Sequence, residues 1–319
     1  MTRALIRYKH DEWIVGRPPD ALVSHYDDMT RSVWSLVRIE KELEFDTSTK
    51  SINVQFIPIM IEVDLSDLIY CEKLESISLT SCYIEKIDLS TLPKFPLLKI
   101  LNLQGNKLES LEFEILKDCN ALETINISWN KLRFLNLVEI PILTSLNIGA
   151  NKLSEIDLST LSTSPNLNSF IVEYNSLQTI DLSPLSSCHK LELLNMELNQ
   201  LVEIDLSPLS HCIHLRNLNI GKNRLQSINL EPLQGCKNLQ SLNLMSNKLT
   251  SIDLNSLSGL EQLKSLNLSA NEFKRIDLSP LSKCTGLEHL DLANNPLEEL
   301  NLTPLDGLEL LHDLRLTEE

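Results

Sequence analysis

The feature that most constrains this chain is an internal repeat with a period of 24 residues. One asparagine column brings the chain into register from about residue 59 to the end, and its members are Asn106, Asn130, Asn151, Asn175, Asn199, Asn223, Asn247, Asn271 and Asn295. Cys82 takes the same position one period earlier, and one spacing, from Asn130 to Asn151, is 21 residues. A unit of this size buries its apolar face only against the next copy. The chain is therefore predicted to stack its repeats into one elongated array.

Each repeat contains the pattern of a short, half-buried strand. In the representative unit Leu191–Cys212, Leu194 and Met196 alternate with Asn195. Such alternation places the leucine positions on one side and the asparagine on the other. Ten full units and a partial eleventh over residues 59–319 are predicted to contribute one strand each to a parallel sheet.

The pattern L-x-x-L-x-L-x-x-N/C-x-L, which each of the ten units matches, resembles the leucine-rich repeat family. The resemblance extends over about four fifths of the chain. It implies an α/β fold, a right-handed solenoid with a curved parallel sheet on its concave face and short helical turns on its convex face. The chain is similar to intracellular leucine-rich-repeat regulators and internalin-like adhesion proteins, which bind proteins on the concave sheet. Fold analogy implies binding but names no partner.

The asparagine column and the convex segment both have structural explanations. The asparagine amides can bond backbone groups left open where each strand turns away, which makes a ladder through the interior. In Asp181-Leu-Ser183-Pro184 the serine is placed to cap a helical turn with proline at its first position. A column of aspartates would place like charges close together in the stack. Hydrogen bonds from local backbone amides could offset this repulsion, and a calcium-binding ladder is the alternative. The column contains Asp64, Asp88, Asp157, Asp181, Asp205, Asp253 and Asp277.

The seven cysteines follow the repeat and not a disulfide framework. Six of them lie three residues before the first leucine of a unit, at Cys71, Cys119, Cys188, Cys212, Cys236 and Cys284. They are predicted to be reduced core residues, as befits a cytosolic protein. A zinc site formed by Cys188-His189 and His211–His214 is the alternative. It is disfavoured because neighbouring residues should point to opposite sides of the chain.

Residues 1–58 do not fit the repeat and hold six of the fifteen aromatic residues. They are predicted to form an N-terminal α+β cap that covers the first repeat, although a separate recognition module stays open. A helix is predicted to start at Pro18-Pro19-Asp20, and its apolar face contains Leu22, Tyr26, Met29 and Val33. A β-hairpin is predicted from Glu42–Phe45 and Ile52–Phe56.

Composition excludes several function classes. The chain has 28 Lys+Arg against 44 Asp+Glu, a net charge of -16, so nucleic acid is not an expected partner. No apolar run approaches a membrane span and the N-terminus lacks a signal-peptide core, which predicts a cytoplasmic protein with no membrane association. No phosphate loop or nucleophile elbow is found, so neither enzymatic activity nor a cofactor or metal is expected.

The candidate binding surface is a group of residues that differ from the repeated residue types of the predicted concave face. Most units place asparagine at the centre of the strand and small residues after it, whereas repeats 3 to 6 introduce apolar, aromatic and acidic side chains. The departing residues are Trp129, Ile171, Glu173, Tyr174, Leu193, Glu197 and Leu198. Aromatic anchors beside an acidic pair are typical of an interface that accepts a partner with lysine or arginine. Scattered exposed apolar residues are also ordinary on repeat proteins.

These observations predict a non-enzymatic scaffold that binds another protein, with a basic surface, on the concave face. Two alternatives remain. The first is a regulatory subunit that modulates a GTPase or phosphatase, and the second is a self-associating structural or adhesion protein. A monomer is expected, with end-to-end association through the last unit as the other arrangement.

Overall fold

The computed structural model describes residues 3–15, 23–27, 32–56 and 61–316. They fall into two compact units. The first comprises residues 1–122 and 126–132, and the second comprises residues 123–125 and 133–319.

The first unit contains two sheets. Its strands are β1 (Arg3–Val15), β2 (Val23–Asp27), β3 (Ser32–Asp46), β4 (Ser51–Gln55), β5 (Glu62–Asp64), β6 (Ser76–Thr80), β7 (Lys86–Ile87) and β8 (Ile100–Asn102). One sheet has the order β2-β3-β1-β5-β7, in which β1 pairs antiparallel with β3 and β5. In the other, β6 pairs in parallel with β4 on one side and β8 on the other.

The helix predicted near the N-terminus is wrong where the structure describes it. Tyr26 lies in β2 and Val33 lies in β3, which pairs antiparallel with β2. Pro18-Pro19-Asp20, Leu22 and Met29 lie outside the described residues. The apolar spacing fits a helical period, but strand pairing with β3 supplies backbone hydrogen bonds that override this weak local preference.

The predicted hairpin is also wrong, although both of its strands exist. The turn after β3 forms, with Ser48 N–H donating to Asp46 Oδ1 at 2.8 Å. The two strands then enter different sheets: β3 pairs with β1, and β4 pairs in parallel with β6, Ile52 opposite Ile77. Ile52 is fully buried. The parallel sheet thus starts one strand earlier than predicted, within the segment assigned to the cap; the boundary proposed between residues 58 and 59 lies outside the described residues.

The second unit consists of parallel strands that pair in chain order, one per repeat. After β9 (Thr124–Asn126), which the unit boundary divides, they are β10 (Ser145–Asn147), β11 (Ser169–Ile171), β12 (Leu193–Asn195), β13 (Asn217–Asn219), β14 (Ser241–Asn243), β15 (Ser265–Asn267), β16 (His289–Asp291) and β17 (Asp313–Arg315). From β10 to β17 each strand pairs with the next in the same register, so Phe170 is opposite Leu194 and Leu194 opposite Leu218.

The core consists of the repeated leucine positions. Leu191, Leu194 and Met196 of one repeat are fully buried, and equivalent residues of the following repeats pack on them. Phe170 and Phe273 are the largest fully buried side chains. Burying a leucine side chain stabilises a fold by about 1.5–3 kcal/mol, so the stack is held together mainly by these columns. In the described residues no helix has the length and apolarity needed to cross a bilayer.

Short 3-10 helices follow the sheet in most repeats, where helical turns are predicted. They cover Ser66–Tyr70, Leu92–Lys94, Phe113–Asp118, Ser159–Thr163, Ser183–Ser187, Ser207–His211, Glu231–Gly235, Asn255–Leu257, Ser279–Lys283 and Thr303–Leu305. At most of these starts the side-chain acceptor is an aspartate, not the predicted serine. Asp205 Oδ1 accepts the Ser207 N–H at 2.9 Å, and Asp181 does the same for Ser183 at 2.8 Å. The aspartate column is thus explained by local turns, in which each of its seven aspartates accepts a backbone N–H at or just before a 3-10 helix.

Because of these aspartate turns, we expect the stability of the folded chain to fall at acidic pH. Hydrogen bonds from the Ser207 hydroxyl and backbone amide lower the pKa of Asp205, and the corresponding serine bonds lower the pKa of Asp181 and Asp277. A carboxylate with a lowered folded pKa contributes stability above its unfolded pKa of about 3.9, and this contribution is lost as the pH falls through the folded pKa.

We expect the triple change Asp181→Asn, Asp205→Asn and Asp277→Asn to reduce the fall in urea midpoint between neutral pH and about pH 3. Asparagine keeps the acceptor and already occupies this column at Asn229, whose Oδ1 accepts the Glu231 N–H at 2.9 Å. An equally steep acid loss in the triple variant would show that these carboxylates do not carry the pH dependence.

Candidate functional site

The open face of the second unit's sheet carries the candidate residues in two neighbouring repeats. In the parallel pairing of β11 with β12, Ser169 is opposite Leu193 and Ile171 is opposite Asn195. Ile171 and Leu193 are half-buried. Their sequence neighbours Phe170 and Leu194 are fully buried on the other side of the sheet. The two apolar side chains therefore lie on the open face, where most repeats present serine or asparagine.

Backbone geometry fixes the outward direction of Tyr174 and Leu198. Both lie in the left-handed region, with φ of 51° and 55°. Their N–H groups donate to the next repeat, from Tyr174 to Glu197 O at 2.8 Å and from Leu198 to Gly221 O at 3.1 Å. Their side chains stay 54% and 38% exposed. The conformation costs about 1–2 kcal/mol for a non-glycine residue, so it persists because the repeat imposes it. Ala150 and Ala270 adopt it at equivalent positions.

Two asparagines of the open face orient the two glutamates. Asn195 Nδ2 donates to Glu173 Oε2, and Asn219 Nδ2 donates to Glu197 Oε2 at 2.9 Å. The Oδ1 of each asparagine is already used, since Asn195 accepts the Glu197 N–H and Asn219 accepts the Gly221 N–H, both at 3.1 Å. Each carboxylate is thereby held in a defined position on the sheet surface.

The two predicted glutamates differ in their ion pairing. Lys222 Nζ lies 2.9 Å from Glu197 Oε1, and the Glu197 side chain is 18% exposed. The charge of Glu197 is therefore compensated within the chain. Glu173 forms no ion pair with any residue that the structure describes. The sequence analysis did not predict the ion pair of Glu197 with Lys222. The signal was available, because Lys222 follows Glu197 by one repeat and one further residue and therefore lies in the adjacent repeat.

Trp129 belongs to the first unit and is described there. It has φ of 56°, and its side chain is 58% exposed. The remaining six predicted residues lie in the second unit. We call them the sheet patch: Ile171, Glu173, Tyr174, Leu193, Glu197 and Leu198.

The asparagine column is a ladder of buried hydrogen bonds. Asn199 Nδ2 donates to Val172 O at 3.0 Å in the preceding repeat and to Met196 O at 3.2 Å in its own. Its Oδ1 accepts the Leu177 N–H at 3.1 Å. The same kind of bonding to carbonyls of the sheet is found at Asn106, Asn130, Asn151, Asn175, Asn223, Asn247, Asn271 and Asn295. All nine are buried except Asn295, which is half-buried. The ladder supports the sheet, and no residue of the sheet patch belongs to it.

The cysteine column points inward, away from the histidines. Cys188 and Cys212 are fully buried, whereas His189 and His211 are exposed. The Cys188 thiol contacts backbone oxygens, at 3.5 Å from Ser164 O and 3.6 Å from Leu161 O. Among the described residues no group of three histidine, cysteine or acidic side chains could hold a metal ion.

The buried thiols are expected to be unreactive in the folded protein. Burial raises the pKa of Cys212 to about 12 and that of Cys119 and Cys236 to about 11, so very little thiolate exists near neutral pH. Titration with Ellman's reagent at about pH 8 should therefore be slow in native buffer and reach all seven thiols only in denaturant. Rapid reaction of several thiols without denaturant would contradict the inward placement.

Sequence profiles of known families match most of the chain. The leucine-rich repeat profile matches residues 72–132 and 213–273, the two-copy leucine-rich-repeat profile matches residues 261–309, and the BspA-type leucine-rich-repeat region matches residues 138–229. No curated protein matches the chain.

Solved structures similar to this chain are leucine-rich-repeat proteins. A leucine-rich-repeat protein of Leptospira interrogans has a TM-score of 0.61 at 20% identity, with 85% of this chain and 78% of that chain covered. An internalin (InlF) of Listeria monocytogenes has a TM-score of 0.58 at 23% identity, with 85% and 88% covered. The complex of TLR13 with a single-stranded RNA has a TM-score of 0.67 at 20% identity, with 85% and 40% covered. At these identities the likeness concerns the fold alone.

The predicted repeat architecture is therefore confirmed by the stacked parallel strands, the 3-10 turns and the profile matches. This chain is a member of the leucine-rich repeat family, with internalin-like proteins among its structural neighbours.

Proposed function

We propose that this protein is a scaffold that binds another protein through the sheet patch of its second unit. The leucine-rich-repeat profile matches support this proposal, because leucine-rich repeats are in general protein-interaction modules. The choice of surface rests on one observation: Tyr174 and Leu198 are held outward on adjacent repeats, beside the half-buried Ile171 and Leu193.

Physical chemistry favours this surface over the rest of the sheet. Exposed aromatic and aliphatic side chains grouped around a polar centre are the usual energetic anchors of protein interfaces. The flanking repeats present small or polar residues at the position of Tyr174 and Leu198: Ala150 before the patch, and Lys222 and then Ser246 after it. The anchors are also preorganised, since backbone hydrogen bonds fix both Cα positions and binding need not order a loop.

Affinity capture from a lysate of the source cell tests the proposal. The wild-type chain is compared with the double variant Tyr174→Ala/Leu198→Ala and with the matched control Ser246→Ala/Asn294→Ala. The control changes the same column in repeats outside the sheet patch, where Ser246 and Asn294 have φ of 52° and 57°. The proposal predicts a protein that the wild type and the control retain and the patch variant loses. Equal capture by all three chains would remove the sheet patch as the binding surface.

A further inference from the structure

The sheet patch carries one uncompensated negative charge. Glu173 and Glu197 occupy equivalent positions in adjacent repeats, and one ammonium, Lys222 Nζ, pairs with Glu197. Glu173 accepts a hydrogen bond from the neutral Asn195 amide. Its other oxygen, Oε1, is the acceptor that the patch offers to a ligand.

The position directly after the ladder asparagine is not basic in the two repeats that contain the sheet patch. In the repeats that flank the patch that position is Lys152, Arg224 or Lys248, and in the two later repeats it is Glu272 and Pro296. In the two patch repeats it is Ser176 and Gln200, both neutral and half-buried. The local field around Glu173 is thus more negative than that of the flanking repeats, and a cation approaching it meets less repulsion.

A glycine makes room for Glu173 on the side away from Glu197. A Cβ built on Gly149 would lie 3.0 Å from Glu173 Cγ and 3.3 Å from Glu173 O. Any side chain at position 149 would therefore push against the Glu173 stem. With glycine there, the Glu173 stem lies against the preceding repeat without this steric conflict.

We infer that the partner presents a lysine or arginine to Glu173, next to an apolar side chain that packs on Tyr174 and Leu198; this rests on the proposed function. A charge-assisted hydrogen bond to a half-buried carboxylate is stronger than a neutral one. A partner without a cation would cover Glu173 and leave its charge desolvated and unpaired, which disfavours that partner. The cation therefore selects the partner, and the apolar contacts supply most of the affinity.

The test is selection of random displayed peptides of about a dozen residues on the immobilised full-length chain. Selections run in parallel on the wild type, on Tyr174→Ala/Leu198→Ala, on Glu173→Gln, on Glu173→Lys and on the control Glu272→Gln. The control removes one exposed carboxylate outside the sheet patch. Circular dichroism of each variant checks that it is folded.

We expect peptides that need Tyr174 and Leu198 to carry lysine or arginine beside an apolar residue. Their affinity should fall roughly 10- to 100-fold on Glu173→Gln and stay within about threefold on Glu272→Gln. Glu173→Lys should select aspartate or glutamate at the same peptide position.

The other outcomes separate the two proposals. Peptides that need Tyr174 and Leu198 but show no excess of basic residues, or bind Glu173→Gln equally well, would overturn the cation inference and leave the proposed function standing. If no selected peptide depends on Tyr174 and Leu198, the sheet patch is not a binding surface and both proposals fail.

Discussion

Replacing Asn247 with alanine is expected to lower the free energy of unfolding by about 3–5 kcal/mol. Asn247 is buried, and its Nδ2 donates to Ile220 O and Leu244 O, each at 3.1 Å. Its Oδ1 accepts the Leu225 N–H at 3.1 Å. Alanine would leave these backbone groups buried without that partner. Urea denaturation followed by circular dichroism measures the loss.

The matched control is Asn243→Ala, at the end of strand β14 in the same repeat. Asn243 lies half-buried on the open face, and its Oδ1 accepts the Met245 N–H at 3.0 Å. Water reaches this position, so the expected loss is below about 1.5 kcal/mol. Equal losses for the two variants would show that burial of the ladder is not what makes its asparagines structurally important.

The second large effect concerns binding. For a partner identified by capture, the double variant Tyr174→Ala/Leu198→Ala is expected to weaken binding by about 100-fold, or roughly 3 kcal/mol, because it removes both exposed anchors. Stability should change by less than about 1 kcal/mol, because alanine adopts the same left-handed backbone at Ala150 and Ala270. Isothermal titration calorimetry gives the affinity, and urea denaturation gives the stability.

The control Ser246→Ala/Asn294→Ala should bind the partner with affinity within about twofold of the wild type. A similar loss in the control would indicate that binding depends on the whole column rather than on two anchors. An unfolded patch variant would show that the assigned orientation of Tyr174 and Leu198 is incorrect.

The repeat was predictable because its signal is redundant: the same leucine spacing recurs in every unit, so a single irregular unit does not hide it. The strand at Ile52 and Val54 was not assigned to the sheet because its repeat lacks the flanking signature. Thr49 stands where the next unit has Leu74. Only the 25-residue offset of Ile52 and Ile77 in the pairing of β4 with β6 reveals it.

Local patterns failed where partners distant in sequence decide the structure. Tyr26 and Val33 fit a helical face, yet both are strand residues paired between β2 and β3. The serine before each proline resembles a cap, but the aspartate two residues earlier is the better-placed acceptor. Both errors arise because short-range propensity is weaker than the hydrogen bonds that the fold provides.

The open-face placement of the candidate residues was predictable, but the ion pairing of the two glutamates was not. The exposed direction of Tyr174 follows from the strand register, which the repeat defines. The difference between Glu173 and Glu197 depends on a contact with Lys222 across repeats, which side-chain conformation decides. Column alignment alone treats the two glutamates as equivalent.

Hydrogen exchange of the chain with and without the captured partner tests the central claim most directly. If the sheet patch is the binding surface, amides in residues 169–174 and 193–198 should exchange more slowly in the complex, while those in residues 241–246 and 289–294 stay unchanged. Protection confined to the 3-10 helices, or to residues outside 169–198, would contradict the account and place the partner on another surface.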